Sequence, residues 1–222
     1  MKNLCLVLTS CIVIIIGSCK SKETTKEQKD EATTTATITL PTGFSPVVVA
    51  DSVGKARHIV VNGNGDIYVK LEELKDGRGI LRLRDTNNDG VADDISGFAN
   101  YGGTGIAIKN GYLYASSDDN VYRYKMDNNE VPANAAEEMI VEGLLNKREH
   151  SSKSITLDNN GFIYVNIGAP SNACQAKNRE KGSPGMNPCP ILDSAGGIWQ
   201  FRVDKLNQKY SDGLRYATGI RN

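Results

Sequence analysis

The sequence predicts an all-β chain built as a β-propeller, on two observations. One short pattern recurs three times in order, as Gly65-Asp66-Ile67-Tyr68-Val69, Gly111-Tyr112-Leu113-Tyr114-Ala115 and Gly161-Phe162-Ile163-Tyr164-Val165. Its matching apolar positions, 67, 113 and 163, stand 46 and 50 residues apart, close to the span of a four-stranded blade. A β-sandwich with look-alike hairpins is the competing reading. The propeller is preferred because the copies agree in order as well as in composition.

Each copy opens on an apolar strand, Ile59-Val60-Val61, Ile106-Ala107-Ile108 or Ile155-Thr156-Leu157. It then turns through Asn, Lys or Asp with Gly, whose tolerance of positive φ suits a tight hairpin. The recurring pattern is the second strand. A third follows as Gly79-Ile80-Leu81-Arg82-Leu83, Asn120-Val121-Tyr122-Arg123-Tyr124 or Gly197-Ile198-Trp199-Gln200-Phe201. These alternate apolar with polar or charged residues, as a half-buried strand does. After the third copy, the run from Arg215 to Asn222 reads as the start of a fourth inner strand. About three blades and the start of a fourth are therefore expected, as the N-terminal part of a longer ring with an open sheet edge.

Ahead of the propeller, Met1-Lys2-Asn3, an almost wholly apolar run from Leu4 to Ile16 and the exit Gly17-Ser18-Cys19 have the layout of a secretory signal over residues 1–18. The apolar run is too short to span a bilayer. Ile16-Gly17-Ser18-Cys19 resembles a bacterial lipobox, which would make Cys19 the lipidated N-terminus of a protein in the bacterial cell envelope. A plain signal peptide with an incidental cysteine is the alternative. Residues 20–37 are charged and Thr-rich without apolar periodicity, so 19–39 reads as a flexible polar tether and 40–222 as the folded domain.

Of five cysteines, Cys5 and Cys11 leave with the signal and Cys19 takes the lipid, which leaves Cys174 and Cys189. In an oxidising compartment this pair reads as a disulfide clamping a Pro- and Gly-rich insertion over residues 169–192. Two free thiols or a metal site are the weaker alternatives. With 26 basic and 26 acidic residues and no strongly basic run, the chain has no signature of nucleic-acid binding.

In a propeller, the residues just before each inner strand gather at the mouth of the channel. Here these are Arg57-His58, Gly103-Thr104-Gly105 and Glu149-His150-Ser151-Ser152-Lys153, with Arg221-Asn222 in the fourth position. Both histidines of the chain fall in this set. Glu149-His150 is the better catalytic candidate, since imidazole titrates near neutrality and an adjacent carboxylate can orient it. A structural, hydrogen-bonded histidine is the bland alternative. Separately, Asp85, Asn87, Asp89 and Asp93 offer oxygens at alternating positions with Gly90 at the sixth, as calcium loops do. The twelfth position is Ser96 rather than Glu, and a polar hairpin loop accounts for the segment without metal.

Six ordered segments resemble the glucose/sorbosone dehydrogenase family. They are Lys55-Ala56-Arg57-His58, Leu83-Arg84-Asp85-Thr86-Asn87-Asn88-Asp89-Gly90, Gly103-Thr104-Gly105-Ile106-Ala107, His150-Ser151-Ser152-Lys153-Ser154, Gly168-Ala169-Pro170-Ser171-Asn172-Ala173-Cys174 and Tyr216-Ala217-Thr218-Gly219-Ile220-Arg221-Asn222. The resemblance runs from about Leu40 to the last residue. It implies a six-bladed propeller that binds pyrroloquinoline quinone (PQQ), with calcium as a second cofactor. It also implies His150 as general base, Glu149 as its acidic neighbour, and Arg221, Asn222 and Lys153 as cofactor-binding residues. Two positions depart from the family: Gly103-Thr104 stands where soluble glucose dehydrogenases carry Gln-Asn, and Ala169-Pro170 replaces Asp-Gln.

The expected function is a membrane-anchored, PQQ-dependent sugar or aldose dehydrogenase of the sorbosone type, passing electrons to an acceptor in the envelope. The alternative is a non-catalytic propeller lipoprotein that binds carbohydrate or protein. A lactonase-type hydrolase is weaker, since the inner strands show no ring of carboxylates and histidines.

Overall fold

The computed structural model describes residues 38–220. The expected signal, the lipidation residue Cys19, the tether up to residue 37, and Arg221 and Asn222 therefore lie outside the described residues. Residues 38–44 belong to a separate unit and hold one turn, in which the Phe44 N–H donates to the Pro41 carbonyl. The remaining described residues carry the strands.

Three antiparallel four-stranded meanders follow one another along the chain. The first is β1 (Ala56–Val61), β2 (Ile67–Lys75), β3 (Arg78–Arg84) and β4 (Asp94–Phe98). The second is β5 (Ile106–Lys109), β6 (Tyr112–Ser116), β7 (Val121–Lys125) and β8 (Glu137–Glu142). The third is β9 (Ile155–Leu157), β10 (Phe162–Ile167), β11 (Gly197–Arg202) and β13 (Leu214–Thr218). A two-residue strand, β12 (Gln208–Lys209), pairs in parallel with β8. Opening strand lies beside opening strand, β1 by β5 and β5 by β9. This is the blade order of a partial β-propeller, as the repeat pattern requires.

The alternation of each middle strand feeds two interfaces, because successive side chains leave opposite faces of a sheet. In β6, Leu113 and Ala115 pack with Tyr68 and Ile80 of the first blade, while Tyr114 packs with Ile163, Val165 and Trp199 of the third. The hairpin Asn110-Gly111 has φ of 49° and 75°, so both residues occupy the left-handed region that a tight two-residue turn requires. An unanticipated tie comes from Gln208, whose side-chain amide donates to the carbonyls of Ile140, Arg202 and Lys205. It fastens the third blade to the outer strand of the second.

The expected fourth inner strand is corrected. Leu214–Thr218 pairs antiparallel with β11, Gly197 opposite Thr218, and so completes the third blade as its outer strand. The run Arg215-Tyr216-Ala217 fits either role, and the ladder decides. Only Gly219 and Ile220 follow it among the described residues.

Candidate functional site

Antiparallel connectivity fixes which loops share an end. The segments entering β5 and β9 lie at the same end as the turns joining β6 to β7 and β10 to β11. The mouth is therefore built from residues 99–105, 117–120, 143–154 and 168–196.

His150 sits in this set, half-buried, with φ of 49°. Its Nδ1 lies 2.6 Å from the carbonyl oxygen of Ala169. A carbonyl can only accept, so Nδ1 carries a proton, and in the neutral ring Nε2 is then the acceptor. Gly168 makes this seat: a Cβ there would lie 2.2 Å from the His150 carbonyl oxygen and 2.6 Å from its Cβ. No side chain fits between β10 and the histidine.

Glu149 does not orient His150, contrary to the sequence expectation. Its carboxylate accepts from Asn178 Nδ2 at 3.1 and 3.3 Å and lies 3.6 Å from Arg179. It therefore points into the insertion, and the carbonyl of Ala169 takes the orienting role. Cys174 and Cys189 do form the expected disulfide, with Cα atoms 6.0 Å apart. The insertion it closes walls an apolar cavity of about 210 Å³ lined by Ala169, Cys174, Cys189, Leu192, Gly196 and Ile220. The cavity thus shares Ala169 with the seat of His150.

Lys153 is corrected from a ligand-facing residue to a sealed one. Its side chain is fully buried, and Nζ donates to the Ser151 carbonyl. Burial pulls its pKa down to about 8, against the charges of Asp118 and Asp119 in the β6–β7 turn. Ser116, also fully buried, donates from Oγ to the Lys153 carbonyl at 2.6 Å and accepts from the Gly105 N–H at 2.9 Å.

Of the other candidates, Arg57 and His58 lie inside β1 at its mouth end, and the Asp85 loop lies at the opposite end. His58 is an exposed residue within β1, opposite Lys70, next to a register shift, and Arg57 pairs with Glu72 at 3.8 Å. Asp85, Asn87, Asp89 and Asp93 lie between β3 and β4, at the end opposite the mouth. Asp85 accepts the backbone N–H groups of Asn88, Asp89 and Gly90, Asp89 that of Val91, and Asp93 both donors of Thr86. These amides hold the Asp85 carboxyl below its usual range. Among the described residues no three or more His, Cys, Asp or Glu side chains gather in one place. In this structure the loop's carboxylates take their hydrogen bonds from its own backbone.

Two features escaped the sequence. Lys70 in β2 is fully buried, donating to the carbonyls of Tyr101 at 2.7 Å and Gly79 at 3.2 Å, with Nζ 4.4 Å from the Tyr101 ring centre. Burial brings it down to about 7, against Asp118 and Glu137. The signal was present: Lys70 shares strand parity with the buried Tyr68. The second is Asp66, 1 % exposed, which takes a bidentate bond from Arg84 at 2.6 Å while Arg84 also meets Glu130.

The family model described as TrAA12-like matches residues 38–222. No curated protein matches the chain. Among solved structures, the calcium structure of the Trichoderma reesei carbohydrate-active enzyme of family AA12 is 17 % identical with a TM-score of 0.57, covering 75 % of this chain and 41 % of its own. The holo PQQ domain of pyranose dehydrogenase from Coprinopsis cinerea is 18 % identical with a TM-score of 0.57, covering 76 % and 39 %. An iodide structure of the Trichoderma reesei AA12 protein is 19 % identical with a TM-score of 0.56, covering 81 % and 46 %. The chain spans less than half the length of each.

Proposed function

The chain belongs to the TrAA12-like family, and on that premise we propose that it is a PQQ-dependent sugar or aldose dehydrogenase of the sorbosone type, with His150 as its general base. The observation that carries the reading is the Nδ1–H bond to Ala169, which leaves Nε2 as the free acceptor of the imidazole at a channel mouth. Bound PQQ would supply the two-electron acceptor for the hydride leaving the hydroxyl-bearing carbon. Nε2 takes the hydroxyl proton, Ala169 holds the ring in the required tautomer, and the clamped insertion bounds the substrate side.

The fit to the cofactor is partial. The described mouth supplies the base, but its one buried cation, Lys153, is sealed from any ligand. Arg221 and Asn222 stand as the proposed contacts to the anionic quinone, where a guanidinium fork suits carboxylates. Calcium is the cation to supply with it, since a relative was solved as a calcium structure. The signal over residues 1–18, lipid on Cys19 and the tether would hold the domain at the bacterial cell envelope, beside its electron acceptor.

The test is PQQ binding and dye-linked oxidation of an aldose panel by the purified protein, with His150→Ala alongside. Quinone-dependent turnover that falls at least a hundredfold in the variant supports the enzyme. A folded protein that binds sugar but no PQQ would be the non-catalytic binding propeller instead. Palmitate labelling that vanishes in Cys19→Ala checks the anchor.

A further inference from the structure

A lysine without solvent contact is an expensive choice for a loop residue, because its ammonium gives up water and must find a partner inside the protein. Lys153 spends that ammonium on the carbonyl of Ser151, two residues back. The bond links no distant elements. What it does is close the backbone immediately after His150, which itself stands in the left-handed region at φ 49°, a conformation that persists only where its surroundings enforce it. The carbonyl of the same lysine is then gripped from the second blade by Ser116 Oγ at 2.6 Å. Gly105 lets the two approach: a Cβ there would lie 2.5 Å from the Lys153 carbonyl oxygen and 2.7 Å from Ser116 Oγ. On the other flank, Gly168 and the Ala169 carbonyl seat the ring. The histidine is held from two blades.

We infer that Ser116 and Lys153 are positioning residues for His150, fixing its backbone so that Nδ1 meets the Ala169 carbonyl and Nε2 faces the mouth. The inference rests on the base role proposed above, but its primary readout does not need turnover. The charged groups facing Lys153 are Asp118 and Asp119 of the β6–β7 turn. Lys153→Met removes the ammonium at similar volume, and Ser116→Ala removes only the hydroxyl.

The experiment is ¹⁵N-histidine NMR on the full chain, in which His150 is one of only two histidines and His58→Gln assigns the signals. The parent should show the Nδ1-protonated tautomer for His150. Lys153→Met and Ser116→Ala should shift it to a mixture of tautomers, with kcat down about tenfold and KM within about twofold. Retention of the Nδ1–H tautomer in both variants overturns the inference, whatever happens to kcat. If Lys153→Met does not fold, Ser116→Ala alone decides by the same signature. A tautomer that shifts in a protein whose turnover ignores His150→Ala would leave the positioning intact and remove the base role.

Discussion

Lys70 offers a test of the fold that needs no substrate. Its pKa is brought down from 10.5 to about 7 because burial between the first two blades penalises the ammonium, against the charges of Asp118 and Glu137. Between pH 7 and 10.5 the unfolded chain holds a proton that the folded chain has released, so stability rises with pH across that window. At about 1.4 kcal/mol per pH unit the shift sets a ceiling of about 5 kcal/mol. Lys70→Met should abolish this increment. It also removes the donor to the Tyr101 and Gly79 carbonyls, a loss of about 1–3 kcal/mol that is felt at every pH. The assay is urea denaturation of parent and variant at intervals from pH 7 to 10. Lys153 and the tyrosines titrate in both proteins and cancel in the difference. The stability of the parent relative to the variant should grow by about 2–4 kcal/mol over the window. Parallel curves would refute the claim that Lys70 is a buried, desolvated amine.

Reduction of Cys174–Cys189, which are 15 residues apart, should lower stability by about 3 kcal/mol on the chain-entropy estimate, read as the loss in denaturation midpoint on adding reductant. Gly168→Ala should cost about 1–3 kcal/mol by overpacking against His150 and abolish the proposed sugar oxidation, whereas Gly185→Ala, whose Cβ would meet nothing within 4 Å, should leave both unchanged. Asp66→Ala should cost about 1.5–3 kcal/mol, the loss of charged hydrogen bonds from an Arg84 that keeps Glu130. The same pair makes the parent acid-sensitive: Arg84 holds the Asp66 carboxyl below its ordinary 3.8, so that stability is lost as pH falls through the lowered value. Asp85→Ala should lower the melting temperature equally in calcium and in chelator; a gap that only calcium opens would support the metal reading of that loop.

The strands were legible because their information is local. Ile67-Tyr68-Val69, Leu113-Tyr114-Ala115 and Ile163-Tyr164-Val165 each carry a period of two and a glycine turn, and the ladders pair them as the pattern requires. The last strand was misplaced because an extended run following the third copy can serve as an inner strand of the next blade or an outer strand of the same one. Only its pairing with β11 separates the two. Glu149 was misread for a related reason. Arg148 and His150 both adopt left-handed backbone, so adjacency in sequence does not make neighbouring side chains point the same way, and the carboxylate next to His150 meets Asn178 instead. The Asp85 loop has the spacing of a cation site, yet spacing leaves undecided whether the oxygens face a cation or the loop's own amides.

The mouth was half legible, and the missing half has a single cause. Histidine before an inner strand can be found by counting, but its orientation depends on Gly168, Ala169, Ser116 and Gly105, residues too small to stand out in any pattern. Their contribution is space and single polar atoms, supplied at contacts far apart in sequence. Arg148 and His150 both adopt left-handed backbone, with φ of 66° and 49°, conformations that cost roughly 1–3 kcal/mol each when nothing holds them. Helices and sheets do not supply that restraint here. For His150 we assign it to the Ser116 hydroxyl, one sealed ammonium and the Ala169 carbonyl, while the Arg148 N–H donates to Asn146 Oδ1 at 3.0 Å. The alternating strands therefore carry the stability of the blades, while the geometry of the imidazole depends on the few residues between them, and substitution at Ser116 or Lys153 should disturb the second far more than the first.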